Sequence, residues 1–189
     1  ESAQRVSPEN AMPEIFIDNH AIGPDHPPFV IAEAGINHNG ELEKALEMVG
    51  VAKAAGADAI KFQTFKAEEF IGDITQTYTY QSRGKEVTES MMEMFRRHEL
   101  PRAAWFELKA ECRRQGITFL STPQNRSDLD LLLEVGVPAV KIGSDDFTNL
   151  PLLRSYAATG LPLILSCGMA DLAEVYRSLE TVGALDGYP

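Results

Sequence analysis

The sequence predicts an α/β fold of the (β/α)8 TIM-barrel type, with only about five β/α units present. Nearly apolar strands alternate with amphipathic helices, which is typical of parallel sheets covered by helices. Polar residues recur where these strands end, as at the C-terminal rim of a barrel. The turn after the first strand, EAGINHNG, lacks the G-x-G-x-x-G of a dinucleotide site. A doubly wound sheet also fits the alternation, and the polar rim favours the barrel.

The chain is predicted to contain three regions. Residues 1–13 are polar and unpatterned, which indicates a flexible tail. Residues 14–28 hold a short β-hairpin and a linker, because EIFIDNHAIG has a hairpin pattern and prolines follow it. Residues 29–189 hold the partial barrel, since a whole barrel needs about 250 residues.

Five strands are predicted within the barrel region. They are FVIAEAG, AIKFQT, ITFLSTP, AVKIGS and LPLILSCG. A long polar segment, residues 65–99, interrupts the alternation after the second strand. Inserts of this length often act as lids over a site.

The helices between the strands carry start and stop signals. Pro101 opens the second helix, whose inner stripe contains Trp105, Leu108 and Cys112. Ser127 is predicted to cap DLDLLLEVG. The later start signals are Asn149 before LLRSYAATG and the capping-box pair Asp171 and Glu174 in the last helix.

The composition limits the possible partners. The chain has 17 basic and 28 acidic residues and a formal charge of −11, which argues against nucleic acid or an anionic membrane but leaves small anions open. No apolar run is long enough to span a membrane, and no secretory signal is visible. Cys112 and Cys167 lack metal-type spacing, so a reduced cytoplasmic protein with free thiols is expected.

Two lysines occupy matching positions in similar strands. GADAIKFQT and GVPAVKIGS place Lys61 and Lys141 at the same point of the second and fourth strands. Alternate strands of a barrel share a layer of inward side chains, so the two ammonium groups should converge. Converging cations in an interior repel each other unless an anion lies between them.

Hydroxyl groups at the same strand ends could complete an anion site. The candidates are Ser121, Thr122, Ser144 and Ser166. An alternative stays open, in which each lysine pairs with a neighbouring carboxylate of Glu33, Asp145 or Asp146. The pattern by itself predicts a site for a small, multiply charged anion and names no reaction.

The motifs IAEAGINHNG, AIKFQT, STP, VKIGS and LSCGM resemble, in order and spacing, the N-terminal barrel portion of the sialic acid synthase family. The family comprises N-acetylneuraminate synthase and its relatives, and the resemblance runs from about residue 14 to residue 183. It implies the condensation of phosphoenolpyruvate with the open-chain aldehyde of an N-acylated aminosugar similar to N-acetylmannosamine. The products are a nine-carbon 2-keto sugar acid and phosphate.

The resemblance also implies roles for the strand-end residues. Lys61 and Lys141 would bind the phosphate and the carboxylate of phosphoenolpyruvate, and Glu33 would act near the aldehyde. A salt bridge between Glu33 and Lys61 is the alternative for that carboxylate. The remaining substrate-binding candidates are Gln63, Ser121, Thr122, Ser144, Asp146 and Ser166.

Some residues depart from the family's usual pattern or have weaker roles. Gln124 follows STP where Phe is frequent, and Asp145-Asp146 replaces Gly-Glu after KIGS. Asp146 keeps a carboxylate for sugar hydroxyls or the N-acyl group but shortens its reach, so the aminosugar stays open. Asn37 and His38 are expected to shape the rim without binding metal. Cys167 is interpreted as a packing residue.

The resemblance further implies a divalent metal, Mn²⁺ or Mg²⁺, that polarises the aldehyde. Its ligands are expected outside this chain, and no metal ligand is predicted within it. A homodimer is expected for the full-length protein, with phosphoenolpyruvate and an aminosugar as substrates and no nucleic-acid or membrane partner. Two alternatives remain: a non-catalytic half-barrel that binds an anion or docks on a partner, and another phosphoenolpyruvate aldol synthase.

Overall fold

A computed structural model describes residues 15–82 and 84–185. The predicted tail at residues 1–13 lies outside the described residues, and so does the end of the chain after residue 185. The described strands are β1 (Ile15–Ile17), β2 (His20–Ile22), β3 (Ile31–Gly35), β4 (Ala59–Thr64), β5 (Thr77–Ser82), β6 (Lys85–Ser90), β7 (Thr118–Pro123), β8 (Val140–Ile142) and β9 (Leu163–Leu165). The described helices are α1 (Leu42–Ala54), α2 (Ala67–Phe70), α3 (Met91–His98), α4 (Arg102–Gln115), α5 (Arg126–Val135), α6 (Leu150–Ala157) and α7 (Leu172–Thr181).

The parallel strands are those that the sequence predicts. β3, β4 and β7 form one parallel sheet in that order, and β8 and β9 form a parallel pair. β8 lies beside β7, so the strands follow each other in space as they do in the chain. Each of these strands is short and followed by a helix, which is the arrangement expected of β/α units.

The main core lies between the sheet and the helices α1, α4 and α5. Side chains of the strands point into this layer, among them Ile60, Phe62 and Phe119. They pack there with Trp105 and Leu108 of α4. The predicted inner stripe of α4 is therefore confirmed. Burying side chains of this size contributes about 1.5–3 kcal/mol each, so this layer holds the strands in register.

A smaller core lies on the opposite side of the strands. Ile17 of β1 packs with Ala59, Leu120 and Ala139. β1 and β2 pair antiparallel around a turn in which Asp18 adopts a φ of 55°, a conformation that Asp and Asn tolerate better than most residues. The β1–β2 hairpin thus covers the N-terminal ends of the strands on the face of the sheet that carries Lys61.

The helix start signals are mostly as predicted, with one correction. Asn149 caps α6, and Asp171 and Glu174 form the predicted capping box of α7. α5 is capped by Asn125, whose side chain accepts from the backbone N–H groups of residues 127 and 128, so the prediction of Ser127 as the cap was wrong. The helix begins at Arg126, so the residue just before it, Asn125, is the N-cap.

The insert after β4 forms structure of its own. It contains α2, the antiparallel hairpin β5–β6 and α3. α2 and α3 enclose a small apolar cluster in which Phe95 meets Phe65 edge-on at 5.3 Å between ring centroids. The function of residues 65–99 as a lid stays a prediction. Within the described residues, no helix combines the length and apolar character needed to cross a membrane.

Candidate active site

Strand register places four of the predicted site residues on one face of the sheet. Glu33 lies opposite Lys61, and Gln63 lies opposite Thr122. Successive residues of a strand point to opposite faces, so Lys61 and Gln63 share a face while Phe62 between them enters the main core. We call this face, which is turned away from α1 and α4, the site face.

Lys61 is paired with Glu33 across the register. Its side chain is almost fully buried, with 6% of the residue exposed, and Nζ makes an ion pair with Oε2 of Glu33. The carboxylate end of that pair reaches solvent, since the Glu33 side chain is 56% exposed. The salt bridge left open by the sequence is therefore present, and it supplies the partner that a buried ammonium needs.

Lys141 has no such carboxylate partner among the described residues. It is half-buried, and its Nζ donates to the backbone carbonyl of Ile142 at 2.7 Å. Burial lowers the pKa of Lys141, and the nearby charge of Lys61 lowers it further, while Glu33 and Asp145 act in the opposite direction. The two ammonium groups are thus close enough to feel each other's charge, and the carboxylate of Glu33 acts on both.

The same carbonyl of Ile142 joins Lys141 to the end of β9. It accepts a hydrogen bond from the backbone N–H of Ser166 at 3.1 Å as well as from Lys141. A carbonyl oxygen has two lone pairs and can accept both. Ser166 consequently lies at the strand end beside Lys141, as the rim hypothesis requires.

The loop after β8 carries the acidic residues of the site. Asp146 is partly buried, and burial together with the neighbouring charge of Asp145 raises its pKa, while a hydrogen bond with Asn149 acts to lower it. Ser144 is half-buried in the same loop. A carboxylate that is desolvated and beside a like charge is a good acceptor for a hydroxyl or amide N–H.

Ser121 does not lie on the site face. Its hydroxyl is fully buried and shares a 2.7 Å hydrogen bond with the hydroxyl of Thr64. Its neighbour Thr122 points the other way, opposite Gln63. The prediction of Ser121 as a substrate-binding residue was wrong, because two consecutive strand residues cannot both face the same side of a sheet.

The loop after β3 is anchored by a buried histidine. Nδ1 of His38 accepts from the backbone N–H of Gly40 at 3.1 Å, and its ring packs on Phe62. Burial, with the charges of His98 and Lys44, lowers its pKa to about 4, so the imidazole is neutral near pH 7. Gly40 has a φ of +77°, and a Cβ there would collide with the carbonyl oxygen of Arg97, which ties this loop to α3.

One buried acidic residue was not identified from the sequence. Asp128 in the first turn of α5 is 1% exposed, and burial, followed by the charge of Glu69, raises its pKa to about 7 despite Lys66 and two backbone N–H groups that act against the shift. Its Oδ2 atom has no hydrogen-bond partner among the described residues. The sequence feature that could have identified Asp128 is its position in the otherwise largely apolar pattern DLDLLL.

Neither a metal site nor a disulfide is present in the described part of the chain. Residues 15–82 and 84–185 contain no group of three or more His, Cys, Asp or Glu side chains that could hold a metal ion, so these residues by themselves do not fit a divalent metal. Cys112 is buried, which raises its pKa to about 12, and Cys167 is exposed. The interpretation of Cys167 as a packing residue was therefore wrong.

The fold and the site define a class: an α/β protein of parallel strands with cationic side chains at one end of the sheet. Residues 48–187 match the NeuB family, and the chain belongs to that family. It is 42% identical over 154 residues to N,N'-diacetyllegionaminic acid synthase from Legionella pneumophila, covering 82% of this chain and 43% of that protein.

Solved structures support the same assignment. N-acetylneuraminic acid synthetase from Leptospira borgpetersenii, solved with citrate, is similar with a TM-score of 0.78 and 34% identity over 91% of this chain and 55% of that one. A truncated 3-deoxy-D-arabino-heptulosonate 7-phosphate synthase from Thermotoga maritima has a TM-score of 0.62 at 16% identity, covering 91% of this chain and 52% of that one. The second likeness shows a TIM-barrel-like fold alone. The chain spans about half the length of the curated relatives it matches.

Proposed function

We propose that this chain supplies the phosphoenolpyruvate-binding half of a sialic-acid-type synthase. C3 of phosphoenolpyruvate forms a bond to the aldehyde carbon of an N-acylated aminosugar, water adds at C2, and the C2–O bond to phosphate breaks. The observation that carries the proposal is Lys141, a half-buried ammonium beside Lys61 that has no ion-pair partner among the described residues. The relatives' names support the class of reaction.

The charges on the site face suit a ligand with two anionic groups. Glu33 already neutralises Lys61. Lys141 would therefore provide most of the electrostatic attraction for an incoming anion. A phosphate or carboxylate between the two lysines would give the Lys141 ammonium an anionic acceptor, which adds the attraction of opposite charges to the hydrogen bond. Bound charge would also raise the lowered pKa of Lys141 back toward its usual range.

Glu33 is suited to the aldehyde end of the reaction. Its side chain is largely exposed while its partner Lys61 is buried, so the carboxylate faces the open space above the strands. In the proposal it holds a sugar hydroxyl or accepts a proton there, with Lys61 setting its position. Gln63 lies two residues after Lys61 on the same face, opposite Thr122. In the proposal these two side chains bind phosphoenolpyruvate together with Ser144 and Ser166.

Other parts of the site would come from the complete protein. The divalent metal would polarise the aldehyde, and its ligands would come from sequence outside the described residues. Further β/α units would close the barrel, and two copies would form a cytoplasmic homodimer. An anion-binding module without catalysis is the second candidate, since the half-buried ammonium of Lys141 would also hold an anion that does not react.

Phosphate release by the complete native protein tests the proposal. We expect phosphate from phosphoenolpyruvate only when an N-acylated aminosugar and manganese are both present, and we expect Lys141→Met to lower kcat/KM for phosphoenolpyruvate at least about 100-fold. Lys85→Met, which removes an exposed lysine of β6, is the matched control and should retain activity.

Two results would reject the proposal. The first is a wild-type protein that releases phosphate with a pentose or tetrose phosphate in place of the aminosugar. The second is a Lys141→Met protein whose KM for phosphoenolpyruvate and kcat equal those of the wild type. A wild-type protein that binds phosphoenolpyruvate in calorimetry but turns over no aminosugar would favour the non-catalytic module.

A further inference from the structure

A cavity lies between the loop after β3 and the insert. Its volume is about 820 Å³, and its walls are Ile36, Asn37 and Asn39 on one side and residues of β5 and α3 on the other. Pockets of roughly 300–1,000 Å³ are of the size that holds small organic ligands. We call this cavity the tyrosine pocket after Tyr78 and Tyr80 in its wall.

The two tyrosine rings are stacked, and the Tyr78 ring is partly exposed. Their centroids are 5.8 Å apart with 23° between the ring planes, and Tyr78 is 46% exposed. An exposed aromatic face of this kind suits the apolar C–H face of a sugar ring, because an aromatic ring offers a large apolar contact with little conformational freedom to lose.

Hydrogen bonds hold the platform in place. The Tyr80 hydroxyl donates to Oε1 of Glu89 at 2.8 Å, and the guanidinium of Arg97 donates to both oxygens of the same carboxylate at 2.5 and 2.8 Å. Because Glu89 neutralises Arg97, this wall has little net charge. The tyrosine pocket therefore suits a neutral, hydroxyl-bearing ligand better than a phosphate or a carboxylate.

The opposite wall offers free amide groups. Asn37 and Asn39 are exposed, and their side chains make no hydrogen bond within the part of the chain that the structure describes. The turn that carries them is closed by backbone bonds to Ala34 and Ile36, so the amides are presented by an ordered loop. An amide side chain has two donors and an acceptor, which matches the hydroxyls and acylamino groups of sugars.

The tyrosine pocket begins close to the proposed reaction centre. Asn37 follows Glu33 by four positions, which limits the distance between their Cα atoms to about 14 Å even in an extended chain. The Glu33 carboxylate is also turned toward the end of its strand, since a Cβ on Gly35 would lie 3.6 Å from its Oε1 atom. A ligand of hexosamine size can therefore extend from Glu33 toward the tyrosine pocket.

We propose that the tyrosine pocket binds the end of the aminosugar remote from its aldehyde, with Tyr78 as a specificity-determining residue. This inference rests on the proposed function. The sugar chain leaves the site face past the loop after β3, its remote carbons cover the Tyr78 ring, and its hydroxyl or acylamino groups bond to Asn37 and Asn39.

The test compares Tyr78 variants of the complete native protein on two sugars. One is the N-acylated aminosugar that the wild type uses best, and the other is the same sugar lacking its terminal carbon. Tyr78→Ala is expected to raise the KM for the longer sugar roughly tenfold and to change the KM for phosphoenolpyruvate less than twofold. With the shortened sugar the effect of Tyr78→Ala should fall below about threefold.

Matched variants separate the ring from its hydroxyl and from general surface effects. Tyr78→Phe keeps the ring and should stay within about twofold of the wild type, and Asn37→Ala should raise the KM of the longer sugar about threefold. Phe106→Ala removes an exposed ring of α4 and should change neither KM.

Failure of this inference differs from failure of the proposed function. A wild type that releases phosphate normally, with Tyr78→Ala and Asn37→Ala unchanged on both sugars, would overturn the inference and leave the proposed function intact. A wild type that turns over no N-acylated aminosugar would overturn both. An equal KM increase for both sugars would also overturn the inference, because the contact would then not involve the remote end.

Discussion

Lys61 and Lys141 stand at equivalent positions of two similar strands, yet their surroundings differ. Lys61 has Glu33 opposite it in register, whereas Lys141 has Ile164. Within the described residues, the first lysine is therefore paired with a carboxylate and the second donates to a backbone carbonyl. A repeated motif therefore does not repeat its electrostatics, because the partner of each lysine comes from the neighbouring strand. The charge of Lys141 is what a substrate anion would meet.

The largest expected effect is the loss of either of the two lysines. If the proposed function is correct, Lys61→Met and Lys141→Met should each lower kcat/KM for phosphoenolpyruvate at least about 100-fold, since each removes a charge proposed to bind an anionic group of that substrate. Glu33→Gln should leave the affinity for phosphoenolpyruvate within about tenfold and mainly lower kcat. Calorimetry with phosphoenolpyruvate and steady-state kinetics measure the two effects. A Glu33→Gln variant with unchanged kcat would reduce Glu33 to a purely structural partner of Lys61.

A buried acid, Asp128, extends the comparison to stability. Its pKa is raised to about 7, above the usual value of about 3.9 for an unfolded chain. The stability it contributes is therefore complete below about pH 4 and is lost as the pH rises toward 7. Asp128→Asn should remove this pH dependence and leave the protein roughly 2–4 kcal/mol more stable than the wild type at pH 8.

An exposed acid of the same helix is the control for Asp128. Asp130 pairs with Arg126 at the surface, and Asp130→Asn should change the free energy of unfolding by less than about 1 kcal/mol. Urea unfolding at pH 5 and pH 8 gives both values. Equal pH profiles for Asp128→Asn and the wild type would show that the carboxyl does not titrate in this range.

The two faces of β7 give a smaller, sharper test. Ser121→Val leaves the buried hydroxyl of Thr64 without its partner and should cost about 1–3 kcal/mol of stability, with KM unchanged. Thr122→Val should leave stability nearly unchanged and raise the KM for phosphoenolpyruvate several-fold, since it removes a hydroxyl from the site face. Thermal unfolding and kinetics on both variants check the assignment, and the reverse result would exchange the two faces.

The smallest expected effect is a gain of stability at Lys141. Burial and the charge of Lys61 oppose its ammonium, so Lys141→Met should raise the free energy of unfolding by about 1 kcal/mol or less near pH 7 while activity is lost. A base whose pKa is lowered on folding costs stability in full below its folded pKa, and the cost shrinks above that pKa until it vanishes above the unfolded value of about 10.4. The gain should therefore shrink at alkaline pH. A clear loss of stability would mean that Lys141 has a structural partner.

Most of the fold was predictable because it depends on local pattern. The apolar strands, the inner stripe of α4 and the capping box of α7 follow from periodicity and from side chains a few residues apart. The cap of α5 was misassigned because Asn125 and Ser127 are both good capping residues and only the backbone distinguishes them. The structure of the insert was not predictable, since its cluster joins residues from two helices that are far apart in the chain.

The sequence by itself determined the parallel α/β plan, the two strand-end lysines and the likeness to the sialic acid synthases, because these depend on residue order and short-range spacing. Only the tertiary structure decided that Glu33 pairs with Lys61, that Ser121 faces the helices, and that the insert and the loop after β3 enclose a pocket. The reason is physical: partners across a sheet are chosen by register and by the alternation of faces, and a pocket between loops exists only once both are packed.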